Sequence, residues 1–138
     1  MDLLYTAEAT ARGGREGEVV SDDGAIDLLL AYPKEIGGPG GDTTNPEQLL
    51  AAAWSACFHN ALQRVAKSQG IDVTGSSVTT KVGLMMQGKE FALQATLVGH
   101  LPGVDAGTAK ALMDTTHDYC PVSKAVGTNI PVTLEVSS

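Results

Sequence analysis

Residues 45–70, "NPEQLLAAAWSACFHNALQRVAKSQG", decide the fold, because both ends of a long helix are written into them. Asn45 suits the N-cap, Pro46 the first helical position, and Gln48 can complete a capping box. The pattern predicts a helix running to about Lys67 or Ser68, with Gly70 just past its end. Between Leu49 and Leu62 the only polar residues are Ser55, His59 and Asn60. A helix so apolar around most of its circumference is buried on several sides. Its expected place is central.

Upstream, the pattern is one of short strands. "LLYTAEATA" (3–11) is a weak strand candidate, followed by the Gly-rich turn "RGGREG" (12–17). "EVVSDDGAIDLLLAY" (18–32) reads as a hairpin around Asp23-Gly24, a turn dipeptide between apolar runs. "PKEIGGPGGDTT" (33–44) is a loop with four glycines and two prolines. It lacks the Lys-Ser/Thr pair of a phosphate-binding loop and reads as a flexible connector near a site.

Downstream, "SSVTTKVGLMM" (76–86) and "EFALQATLVGH" (90–100) alternate as strands joined by "QGK". Val78, Val82 and Leu84 share one face of the first; Phe91, Leu93, Ala95 and Leu97 share one face of the second. Asp105 is placed to cap a second helix through about Tyr119, with Ala109, Leu112, Met113 and His117 at helical spacing. Pro121 ends that helix or begins a short new turn. "NIPVTLEV" (129–136) closes the chain as a strand. With neither repeats nor a linker, residues 1–138 read as one α+β domain.

Composition narrows the function. The chain has 138 residues, 43% hydrophobic, 18% charged and only 4% aromatic, so its core relies on Leu, Val and Ala. A net charge of −7 argues against nucleic acid, whose phosphates need clustered cations. The nine Lys and Arg are scattered, which also argues against a membrane surface. No segment approaches the roughly 18 apolar residues of a transmembrane helix. The first residues lack the basic and apolar regions of a signal peptide. The expectation is a cytoplasmic protein, where static disulfides are rare.

Chemistry then turns on two cysteines, Cys57 in "WSACFHN" (54–60) and Cys120 in "DYCPVSK" (118–124). A lone cysteine on an apolar helix ordinarily packs as a small hydrophobe. Metal binding is disfavoured, since neither has the close Cys/His spacing of a zinc module. His59 lies about 200° around the helix from Cys57, so it is neither a shared ligand nor its base. A nucleophilic Cys57 needs a thiolate, and a free thiol with pKa about 8.5 is mostly protonated at neutral pH. Asn45 lies roughly 18 Å away along the axis, where the helix dipole has faded. Positions one turn away (Ala53, Trp54, Asn60, Ala61) carry no cation. A reactive Cys57 must take one from elsewhere in the fold, and Arg12 and Arg15, at the Gly-rich turn, are the candidates. Spacing alone leaves open whether they only decorate a hairpin tip.

"GGDTTNPEQLLAAAWSACFHNAL" (40–62) and "YCPVSKAVGTNIPVTLEV" (119–136) together resemble the Ohr/OsmC superfamily, in its organic hydroperoxide resistance (Ohr) branch. The hairpin "ATARGGREGEVVSDDGAIDLLLAYPKEIGG" (9–38) fits the same pattern, so the resemblance covers essentially the whole chain. It implies an intertwined homodimer with antiparallel β-sheets wrapped around long central helices. It also implies a metal-free cysteine peroxidase that reduces organic hydroperoxides to alcohols. By motif, Cys57 matches the peroxidatic cysteine of "ACF" and Cys120 the resolving cysteine of "CP". Arg15 matches the arginine of "GGR" and Glu47 the glutamate of "NPEQ". No bound cofactor is implied; the reductant would be an external dithiol, a lipoyl group (dihydrolipoamide) on a carrier protein. Trp54 and Val122 stand where the family commonly has tyrosine, a departure at the substrate pocket and the resolving loop.

On this reading Cys57 forms a sulfenic acid, Cys120 condenses with it, and a dithiol reduces the disulfide. Arg15 would stabilise the thiolate, and Glu47 would orient Arg15. Leu50, Trp54 and Phe58 would form an apolar pocket suited to an organic hydroperoxide. His117, one turn before Cys120, either tunes that thiol or simply packs. Glu47 and Cys57 are ten helical residues apart, about 15 Å along the axis and 80° around it, so a shared site implies two chains. The rival readings are a redox sensor using the same disulfide, a protein of the OsmC branch with other substrates, and a small-ligand binder with buried thiols.

Overall fold

A computed structural model describes residues 1–137. The chain forms two compact units, Met1–Leu49 and a second that begins at Leu50. The boundary falls inside a helix, where no linker composition marks it.

The first unit holds an antiparallel sheet of β1 (Ala9–Arg12), β2 (Glu18–Ser21) and β3 (Asp27–Leu29). β1 pairs with β2 from Ala9↔Ser21 to Arg12↔Glu18, and β2 with β3 from Glu18↔Leu29 to Val20↔Asp27. The expected Asp23-Gly24 turn is present: Gly24 takes φ 75°, and the Asp23 carboxylate accepts from Ser21 Oγ and the Ala25 amide. The first strand is shorter than "LLYTAEATA" suggests. Its partner β2 ends at Ser21, so Leu3, Leu4 and Tyr5 have no strand to join and are exposed. The glycine-rich connector includes a 3-10 turn at Lys34–Ile36 and returns to the sheet through a bridge between Leu30 and Thr44.

Helix α1 (Pro46–Ser68) starts where its caps predict. The Gln48 amide donates to Asn45 Oδ1 at 2.8 Å, the first half of the capping box. The second half goes elsewhere, with Gln48 Oε1 accepting from the Thr44 hydroxyl at 2.7 Å. At the other end Gly70 takes φ 68°. The Gly70 amide bonds to the Lys67 carbonyl and the Ile71 amide to the Ala66 carbonyl, a Schellman closure.

In the second unit β4 (Ser77–Gln87) and β5 (Glu90–His100) form a long antiparallel hairpin. A two-residue turn joins them, with Gly88 at φ 64° in its first position. β6 (Val132–Ser137) pairs with β5 in parallel, from Ala95↔Val132 to His100↔Ser137. The expectation of antiparallel sheets is therefore corrected at this edge. A parallel partner requires a long crossover, which α2 (Ala106–Tyr119) and α3 (Pro121–Val126) supply. Gly99 on β5 admits α2 closely, since a Cβ there would lie 2.5 Å from the Met113 sulfur.

The core of this unit gathers Trp54, Phe58, Leu62 and Ala66 of α1, Ala95 and Leu97 of β5, and Leu112 and Met113 of α2. Phe91, expected on the same face as Leu97, is exposed. β6 covers β5 only from Ala95 onward, so the hairpin tip is a two-stranded ribbon. α1 is buried along one face only, and Ala52, Ala53 and Ala56 are open. Asp105 caps α2 as expected, accepting from the Thr108 amide at 3.1 Å. The buried position near its end belongs to Thr116, whose hydroxyl bonds the Leu112 carbonyl, while His117 is half-buried.

Candidate active site

The second unit brings the two cysteines together. Cys57 lies midway along α1 and is half-buried; Cys120, between α2 and α3, has no exposed surface. Both are free thiols, with Cys120 Sγ donating to Cys57 Sγ at 3.5 Å. The Val122 backbone amide also donates to the Cys57 sulfur. Burial pushes the Cys57 thiol above its ordinary pKa; the Val122 amide opposes that, and the Cys120 thiol reinforces it. The two sulfurs thus lie in contact, while the surroundings of Cys57 in this unit favour its neutral thiol.

A second hydrogen bond joins the same two segments. Trp54 Nε1 donates to Ser123 Oγ at 2.9 Å, with both residues buried. Ser123 is the site residue that sequence reasoning missed. The chain's single tryptophan signals that a buried indole N–H needs a partner, but not which one. Trp54 and Phe58, expected to line a substrate pocket, have no exposed surface, and Leu50 packs half-buried against the same cluster. His59 is a satisfied histidine, its Nε2 within 3.0 Å of Ser76 Oγ. His117 Nδ1 is buried without a hydrogen-bond partner among the described residues.

The first unit holds the other two expected site residues. Arg15 sits on a 3-10 turn, Gly14–Glu16, which Gly13 enters at φ 82°, a conformation that favours glycine. Its guanidinium grips Glu47, at the start of α1, in a bidentate pair: Nη1 to Oε2 at 2.8 Å and Nη2 to Oε1 at 2.6 Å. Arg15 holds the Glu47 carboxyl below its usual pKa, and Glu47 raises that of Arg15 in turn. Tyr32 also acts on the Arg15 charge and lines an open hollow of about 430 Å³ with Leu30, Ile36 and Pro39. Arg12, the other candidate cation, is exposed. Among the described residues no three His, Cys, Asp or Glu side chains converge as metal ligands. Among the described residues, no helix is long and apolar enough to cross a membrane.

The family model for OsmC-like proteins matches residues 38–135. The organic hydroperoxide resistance protein of Xanthomonas axonopodis pv. citri is 44% identical over 136 residues, covering 98% of this chain and 96% of that protein. The organic hydroperoxide resistance protein OhrB of Bacillus subtilis is 42% identical, covering 96% of this chain and 98% of its own. Among solved structures, an organic hydroperoxide resistance protein from Legionella pneumophila superposes with a TM-score of 0.91 at 43% identity, covering 99% of this chain and 100% of its own. The chain belongs to the OsmC-like family, in its organic hydroperoxide resistance branch.

Proposed function

We propose that this protein is a cysteine peroxidase that reduces organic hydroperoxides to alcohols in the cytoplasm, as a homodimer, without a bound metal or cofactor. The observation that carries this reading is the approach of the Cys57 and Cys120 sulfurs to 3.5 Å as free thiols. The names of its relatives, which speak of organic hydroperoxide resistance, support the substrate class.

The Cys57 thiolate attacks the distal peroxide oxygen, the O–O bond breaks, and the alkoxide takes a proton and leaves as the alcohol. The sulfur, oxidised by two electrons, becomes a sulfenic acid. Cys120 sulfur then attacks it, and the sulfenic oxygen leaves with the Cys120 proton as water. An external dithiol returns two electrons by exchange and is itself oxidised to a disulfide. A lipoyl group on a carrier protein fills that role. Arg15 supplies the cation that Cys57 lacks in its own unit, and Glu47 fixes the guanidinium. Leu50, Trp54 and Phe58 make the surroundings of Cys57 apolar, which favours an organic peroxide over hydrogen peroxide.

Turnover of an organic hydroperoxide with dihydrolipoamide, set beside hydrogen peroxide, tests the reading. The organic substrate should be strongly preferred. Cys57→Ser should abolish turnover, and Cys120→Ser should react once and then over-oxidise. Mass spectrometry after one equivalent of peroxide should show an intramolecular Cys57–Cys120 disulfide; its absence in the wild type sinks the mechanism.

A further inference from the structure

We infer that the Trp54–Ser123 hydrogen bond is a staple that holds the two cysteine-bearing segments in place for closure of the Cys57–Cys120 disulfide. This inference rests on the peroxidase reading above and assigns it two positioning residues.

The sequence separations are the first argument. Trp54 precedes Cys57 by three residues on α1, and Ser123 follows Cys120 by three, within α3. The 2.9 Å bond from Trp54 Nε1 to Ser123 Oγ therefore ties together the same two segments as the 3.5 Å approach of the sulfurs. On α1, residues three apart lie on neighbouring positions of one face, about one turn from each other. The staple and the sulfur pair are adjacent rungs between two segments.

The second argument concerns how Cys120 is seated: it is buried, its backbone bonds Thr116 and Lys124, and two residues on the Val122 amide reaches Cys57. The Cys120 side chain makes no capping bond at the start of α3, although its backbone occupies that N-cap. α3 has only six residues, and a helix so short does not hold itself in place. Pro121 at its first position brings a fixed φ but no N–H. The Ser123 hydroxyl is the polar side-chain anchor from α3 to α1.

Burial makes the anchor persistent. Trp54 is 0% exposed and Ser123 3%. Indole N–H is a donor only, so breaking the bond would strand it in an apolar core with no water to replace the hydroxyl. The sulfurs have to close from 3.5 Å to about 2.05 Å when the disulfide forms. A movement of that size is favoured when both backbones are already held, and misplacement by a comparable distance can slow a reaction by about 100-fold. In the closing step Cys120 sulfur bonds to Cys57 sulfur as the Cys57 S–O bond breaks. The oxygen departs as water with the Cys120 proton, and the staple itself gains or loses no atoms.

A hydrogen bond that merely satisfied the core would predict a different kinetic signature. The decisive measurement separates the two chemical steps. Wild type, Ser123→Ala, Ser123→Thr and Trp54→Phe are each treated with one equivalent of an organic hydroperoxide. Sulfenic acid is trapped with dimedone, the disulfide is counted by mass spectrometry, and Trp54 emission is followed where the residue remains. In Ser123→Ala and Trp54→Phe, closure should slow by roughly 10- to 100-fold; in Ser123→Ala, which leaves the apolar surroundings of Cys57 in place, peroxide consumption should change by less than about threefold. Sulfenic acid should accumulate and excess peroxide should drive Cys57 to the sulfinic acid. Ser123→Thr, which keeps the hydroxyl, should restore closure to within about threefold. Closure at the wild-type rate in both disruptive variants overturns the staple, as does an equal slowing of both steps in Ser123→Ala. A wild type that reacts with peroxide but forms no Cys57–Cys120 disulfide overturns the peroxidase mechanism, and the staple with it.

Discussion

Three influences act on the Cys57 sulfur in its own unit, and two of them favour the thiol. Burial and the Cys120 S–H raise its pKa, against one amide from Val122 that favours the anion. With a raised pKa the folded state binds the proton more tightly than the unfolded chain. That stabilisation is complete below the ordinary thiol pKa and is lost as pH rises through the raised value. Reactivity runs the other way, since thiolate accumulates only as pH climbs toward that value. If Arg15 brings the compensating cation, Arg15→Ala should move the alkylation profile of Cys57 to higher pH and slow its oxidation at pH 7 by about tenfold or more. Arg15→Lys should rescue only part, lacking the fork that grips Glu47, and Arg12→Ala should leave the profile in place. An alkylation profile identical in wild type and Arg15→Ala removes Arg15 from the mechanism. The Glu47 partner sets an acid limit of opposite sign. Its lowered pKa keeps the pair intact above the usual carboxylate value of about 4.3, and the contribution is lost as pH falls through the lowered one.

Elements rest on local signals of unequal strength. The start of α1 depends on one side chain, Asn45, which accepts from the Gln48 amide. Asn45→Ala should cost about 1 kcal/mol, lowering the melting temperature by about 3–5 °C on thermal unfolding. Gln48→Ala, which keeps that amide, should cost less. A larger loss in Gln48→Ala than in Asn45→Ala would mean that the Thr44 contact, not the cap, holds the helix start. These caps are legible in the sequence because each is a contact within four residues. So are the Asp23-Gly24 turn, the Gly88 turn and the Asp105 cap. What depends on distant partners is not legible. β1 begins only where β2 can pair with it, β6 joins in parallel because two helices intervene, and Phe91 is exposed near the tip of the hairpin, outside the stretch that pairs with β6. The site divides along the same line. Cys57, Cys120, Arg15 and Glu47 stand out by motif, whereas Ser123 matters through a bond spanning 69 residues. The boundary between the two compact units lies within α1, where helical periodicity continues unbroken and offers no cue.

For the whole molecule, the open apolar surface argues for a second chain. Ala52, Ala53 and Ala56 leave one flank of α1 uncovered, and Met86 and Phe91 are 64% and 67% exposed at the hairpin tip. A chain with so few aromatic residues leaves such groups in water at a cost that a partner copy would remove. Arg15 and Glu47 are already joined within one chain, so they can be delivered together to a thiol. By helical rise, Glu47 is about 15 Å from its own Cys57, which favours the Cys57 of the partner. The expected arrangement is an obligate homodimer with each site built from both chains. Cys57→Ser and Glu47→Ala chains, each impaired alone, should then complement when refolded together. With random pairing under two-fold symmetry, half the dimers are mixed and each carries one intact site, so about a quarter of wild-type activity should return. A monomer in solution, or mixed dimers with no more activity than Glu47→Ala alone, would show that each chain must complete its own site.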